Sequence, residues 1–258
     1  MTLKDLEQTL FSLTPAETEA LQALPQLKKY CALMVSESET DLREEERIFC
    51  RGFEQSGSYL SMTLDRNGYV PEKLVFEEQE GTFHVVQQPR FCAEPVHRHH
   101  FFELVIVYAG ECRIYMDDQE RTLETGEVCV IGVGTRHQIQ PLDAGDIVVC
   151  LRIKTESLDH LGRWGNPLVT EYMIPQSREG LPDAYLILPM KGNERFWNTL
   201  RLMICEYMDH DYVSLSCFAL YLTAMMLQLA RGRWKEAGQP YRTEATDSGE
   251  IPDCRHSM

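Results

Sequence analysis

From Thr82 to Ile153 the chain is a succession of short β-rich runs. They are Thr82–Gln87, Phe101–Tyr108, Cys112–Met116, Glu127–Ile131, Gln138–Gln140 and Ile147–Ile153. Turn signals separate them: Ala-Gly-Glu, Asp-Asp-Gln, Thr-Gly-Glu, Gly-Val-Gly and Asp-Ala-Gly. No helical period intervenes. Strands at this spacing point to an antiparallel barrel or sandwich.

One of these runs carries polar cargo. Around Pro95–Gly110, side chains on an extended chain alternate between faces. His97, His99, Phe101 and Glu103 share one parity, and His100, Phe102 and Leu104 the other. Two imidazoles and a carboxylate therefore converge on one face, and His100 is expected at the surface. Such a face can carry a metal site, a metal-free ligand pocket or a self-satisfied polar cluster, and imidazoles with a carboxylate suit Fe, Mn, Ni or Zn. Buried charge must in any case be paired or hydrogen-bonded. Arg113 and Arg152 could hold an anion, but a solvated face is the expectation for both.

The flanks are helical. In residues 1–55, Leu3, Leu6, Leu10 and Leu13 keep helical spacing, and Thr14-Pro15-Ala16-Glu17 is a capping box with proline at the first helical position. Asp41–Phe53 is charge-dense with Leu42, Ile48 and Phe53 as a thin apolar stripe, and the whole is expected to be a solvated, acidic helical arm packed on the main domain. Residues 56–155 form the barrel, starting with a turn-rich stretch. Residues 156–192 are a connector with a short helix over Ser157–Trp164. After Asn193 the period becomes helical, with Asn193–Met208 and Leu215–Arg231 as an antiparallel hairpin over 193–232. Leu215, Phe218, Leu222, Met225 and Leu229 form a stripe that fits a dimer seam or an intramolecular core, with the seam favoured. Residues 233–258 are polar and expected to be a disordered tail.

Composition narrows the function. The formal net charge is −15 and no basic run relieves it, which argues against direct nucleic-acid binding over a broad surface. Nine cysteines without a C-x-x-C pair suit buried thiols in a reducing cytosol. No signal-peptide core and no run of about 18 apolar residues is evident, so the expected location is cytoplasmic and off the membrane.

His97-x-His99-x-x-x-Glu103 with Gly110, followed by Gly126, Gly134 and His137, resembles the two cupin motifs. The resemblance implies a jelly-roll barrel and the ligand set His97, His99, Glu103 and His137. The chain departs from the motifs at Phe91, where a glycine is usual, at Gly132 for proline and at Pro141 for asparagine. Arg90-Phe91, the histidine run through Leu104, Val107-Tyr108-x-Gly110, Leu123-x-x-Gly126-Glu127 and the helix pair resemble the ligand-binding and dimerisation domain of AraC-type transcription regulators. That resemblance covers about residues 80–232. It implies a small-molecule effector in a pocket lined by His97, His99, Phe101, Glu103 and His137, and a homodimer through the hairpin. It also implies pairing with a full-length regulator as an option, since the family's helix-turn-helix half is expected to be missing from this chain. No catalytic residue and no obligatory cofactor follow from it. The runner-up is a metal-dependent cupin dioxygenase or isomerase built on His97, His99, Glu103 and His137.

Overall fold

The computed structural model describes residues 1–19, 21, 64, 68–76, 82–91, 96–116, 119–140, 143–157, 185–209 and 211–236. The arm beyond residue 21, most of the connector, the expected helix past Ser157 and the tail after residue 236 lie outside these. The described elements are α1 (Leu3–Phe11), α2 (Glu72–Phe76), β1 (Phe83–Gln87), β2 (Phe102–Ala109), β3 (Glu111–Met116), β4 (Gln119–Glu124), β5 (Glu127–Ile131), β6 (His137–Gln140), β7 (Ile147–Ile153), β8 (Tyr185–Pro189), α3 (Glu194–Asp209) and α4 (Ser214–Glu236).

The strands build two antiparallel sheets, ordered β1-β7-β2-β5-β8 and β4-β3-β6. Alternation sorts their side chains. Val105, Val107, Cys129, Val148 and Cys150 point inward and meet Cys112, Ile114, Met116, Leu123 and Ile139 from the smaller sheet. Phe102, Leu104, Ile106, Val128, Val130, Val149 and Leu151 point outward, into a second core shared with the helices. The large sheet is therefore apolar on both faces, which explains why β7 is buried along its whole length.

The outer core consumes the hairpin. From α3 it takes Phe196, Leu200, Met203 and Ile204, and from α4 Phe218, Leu222, Met225, Met226, Leu229 and Ala230. This corrects the expected dimer seam. Phe218, Leu222, Met225 and Leu229 are buried within the chain, and only Leu215 of the five is exposed, at 69%. The reason is that the outward face of β2, β5 and β7 is apolar and needs a cover. By length and composition Ser214–Gly232 is apolar enough to cross a membrane, but one side of it is spent on this core. Asp211 caps α4 by accepting from the amides of Val213 and Ser214 at 2.8 and 2.9 Å.

The start of the arm is packed, while the stripe of Leu42, Ile48 and Phe53 lies outside the described residues. Thr2 and Asp5 close a reciprocal box around the first turn of α1, and Leu6 and Leu10 join the outer core. Thr14 and Glu17 form the expected second box, the Thr14 amide donating to Glu17 Oε2 at 2.8 Å. Glu17 also meets Arg90. The Arg90 Nε and Nη2 donate to the two Glu17 oxygens, each at 2.9 Å, and Nη1 donates to the Ala144 carbonyl at 3.0 Å. The neighbouring Phe91 has φ 66° and is buried. A left-handed backbone, which glycine adopts most readily, is thus kept here by a phenylalanine held in packing.

Gly110 turns β2 into β3 with φ 71°. A Cβ there would lie 2.3 Å from Asp146 Oδ1 and 2.8 Å from Gly145 O. Asp146 is itself fixed by the Glu111 amide at 3.0 Å. Gly110→Ala is expected to cost about 2–3 kcal/mol, read from denaturant midpoints. An unchanged midpoint would contradict the strained turn.

Candidate functional site

β2 carries Glu103 inward at the level of Arg152 on β7 and His84 on β1, since Glu103 pairs with Arg152 and Arg152 with His84 in the ladder. A polar row thus crosses three adjacent strands. At its inner end His97 and His137 form an antiparallel bridge, with amide-to-carbonyl bonds of 2.9 and 3.0 Å. The amide of Gly134 donates to the His99 carbonyl at 2.9 Å, which fixes the loop that delivers His137. His97, His99, Glu103 and His137 are all buried, with one ligating atom each within 4.8 Å of the others.

The four residues read from the sequence therefore meet. They do so although 97–101 is not regular strand: β2 begins only at Phe102. Phe101 lies flat on His99, centroids 4.1 Å apart at 9°, and packs with Val70, Val75 and Phe76 in a satellite cluster. It covers the centre rather than lining an open floor. His100 is exposed, as its parity predicts, and stacks on Tyr69 at 4.3 Å.

Arg152 corrects the expected solvated face. It is 4% exposed, and its Nε donates to Glu103 Oε1 at 2.7 Å. Arg113 fits the expectation, pairing with Glu120 in the open. An arginine inside the otherwise apolar run of β7 was the signal that could have flagged the site. Burial alone would push the Glu103 carboxyl up. The Arg152 charge opposes this and holds Glu103 well below the ordinary carboxylate range.

The imidazoles carry a proton conflict. His99 Nδ1 lies 2.7 Å from the Phe101 carbonyl, and His137 Nδ1 2.9 Å from the Thr135 carbonyl. A carbonyl only accepts, so each Nδ1 bears the hydrogen. Both Nε2 atoms then face Glu103 Oε2, each at 3.2 Å. In a neutral ring that nitrogen offers a lone pair, and a lone pair against a carboxylate repels. Burial pushes His99 below its ordinary value, against the pull of Glu103, and so favours the neutral ring. A cation at this point resolves the conflict: a proton shared among the rings, or a metal ion. The donor set fits a divalent transition metal, with His97, His99, Glu103 and His137 as the holders. Their spread is close to twice a metal–ligand bond of about 2.0–2.2 Å.

Residues 83–150 match the cupin domain, the span from β1 into β7 that contains the whole centre. No curated protein matches the chain. Among solved structures, it is similar to an apo form of ToxT from Vibrio cholerae strain SCE256, at 15% identity over 65% of this chain and 61% of that one, with TM-score 0.44. It is similar to the DMSP lyase DddQ from Ruegeria pomeroyi DSS-3, at 25% identity over 28% and 36%, TM-score 0.25. A third is KdgF from Halomonas sp., at 21% over 27% and 65%, TM-score 0.25. The chain spans less than two thirds of each of these, and at such TM-scores the likenesses say nothing about activity.

Proposed function

We propose that this chain is the small-molecule-sensing and dimerisation part of an AraC-type transcription regulator, acting in the cytoplasm. One observation carries the reading: the strands that hold the polar centre are the strands on which the helix hairpin sits. β2 turns Glu103 inward and Phe102 and Leu104 outward to the helices; β7 turns Arg152 inward and Leu151 and Ile153 outward. An effector that displaces Glu103 or Arg152 moves the seat of α3 and α4 by way of the adjacent residue. Interiors packed this tightly transmit such shifts. The effector selects one of two seatings, as any allosteric ligand must.

Dimerisation then uses the side of the hairpin that the core leaves open, where Tyr212, Val213, Leu215 and Leu220 are exposed. A second copy of this chain is the expected partner, and a full-length regulator of the same type can take its place.

A binder found by thermal shift should change the fluorescence of Trp197. That residue sits in α3 with its indole N–H on the Met190 carbonyl at 2.9 Å. The binder should alter the monomer–dimer balance in sedimentation and be recovered unchanged. Conversion of the compound into product would overturn the reading.

A second reading, a metal-dependent cupin enzyme, is favoured by the converging Nε2 atoms. A metal there would supply Lewis acidity to a bound oxygen. Elemental analysis of protein purified without chelator tests for the ion. Turnover, not metal content alone, decides for the enzyme.

A further inference from the structure

The polar centre is sealed, and its walls are not alike. His97, His99, Glu103 and His137 are each 2% exposed or less. Three of them are held by paired backbone. Glu103 is locked in the ladder between Arg152 and Ile131, His137 in the ladder opposite Met116, and His97 in its bridge to His137. His99 differs, because its ring face is covered by a side chain, the parallel ring of Phe101. Phe101 can leave by side-chain rotation alone. Its carbonyl, which accepts from His99 Nδ1 at 2.7 Å, stays with the backbone.

Phe101 is in turn held by a strap, residues 68–76. Phe76 stands edge-on to it, with centroids 5.5 Å apart at 88°. Val70 and Val75 complete a small cluster that is separate from both cores of the barrel. Two backbone bonds tie the strap to the histidine segment: the Val70 amide donates to the Arg98 carbonyl at 2.7 Å, and the Arg98 amide to the Gly68 carbonyl at 2.9 Å. The Tyr69–His100 stack and the Lys154 ammonium, 5.1 Å from the Phe76 ring centroid, add to these. At its near end Gly68 has φ 79°, and a Cβ there would meet nothing within 4 Å, so the chain has room to swing. A unit with so few buried contacts opens at a lower cost than either core.

We propose that the strap of residues 68–76, with Phe101 as its plug, is the gate of the polar centre. An ion or a ligand group reaches the imidazoles when the strap lifts off Phe101 and that ring leaves the face of His99. The gate serves an effector and a metal ion alike, so it goes beyond the choice between the two readings above.

Carbethoxylation by diethyl pyrocarbonate, mapped by mass spectrometry on the whole chain, tests this. His100, which is exposed, should label at once and serves as the internal reference. His97, His99 and His137 should label slowly, at a rate set by opening. Val75→Ala, which thins the cluster and lies outside the centre, should speed these three about tenfold. Phe76→Leu, a milder cut in the same cluster, should act in the same direction. Gly110→Ala, weakened at a turn away from the centre, should label at the wild-type rate. Low urea should barely change these rates, because the opening exposes little surface. Wild-type rates in both strap variants, equal acceleration in Gly110→Ala, or a urea slope matching global unfolding would overturn the gate. Labelling of the three in the wild type as fast as His100 would overturn it too.

Discussion

Arg90→Met is expected to lower stability by about 3–5 kcal/mol, a loss on the order of 10 °C in melting temperature. Arg90 is fully buried, and it ties the barrel to the start of the arm through Glu17. The substitution keeps the aliphatic bulk but leaves the Glu17 carboxylate, 4% exposed, without its countercharge. It also strips donors from the carbonyls of Ala144, Phe11 and Ser12. The effect should depend on pH. Burial would raise the Glu17 carboxyl, but the hydrogen bonds and charge of Arg90 outweigh it, so the folded pKa is depressed below 4.5. The pair's contribution is therefore present above that unfolded value and is lost as pH falls through the folded one. The gap between wild type and variant should be full at pH 7 and shrink below about pH 4.5. A gap that does not change with pH would mean that Arg90 acts by packing alone.

Glu103→Gln should be comparably severe, again about 3–5 kcal/mol, because it leaves the Arg152 guanidinium buried beside a neutral amide. It also removes the carboxylate that the His99 and His137 imidazoles share. Replacing both members of the pair, Glu103→Leu with Arg152→Leu, should recover most of the loss, since paired apolar replacements of buried ions are often neutral. Chemical denaturation of the three variants checks this. A double variant as unstable as the single one would show that the imidazoles, and not Arg152, are what depend on the carboxylate.

Much of the fold was legible because two-residue alternation and turn signals report burial directly. Glu127–Ile131 and Ile147–Ile153 read from the sequence are the observed β5 and β7. β4 escaped because its run Gln-Glu-Arg-Thr-Leu-Glu turns one apolar residue, Leu123, inward and charge outward. β8 was hidden in a stretch without clear period. His97, His99 and Glu103 were legible from strand alternation, and His137 from the resemblance to the second cupin motif. Arg152 was not, since its partner lies 49 positions away and only strand register brings the two together. The α4 stripe shows the limit of periodicity: it identifies an apolar face but not what covers it.

Hydrogen exchange in Glu103→Gln tests most directly the claim that the polar centre and the hairpin form one energetic unit. Gly110→Ala, weakened at a turn away from the centre, serves as the reference once the two are compared at equal stability. The account predicts faster exchange in α3 and α4 for Glu103→Gln than for Gly110→Ala, because Glu103 shares its strand with the seat of those helices. Extra exchange confined to the strands around the centre, with the hairpin matching the reference, would contradict it.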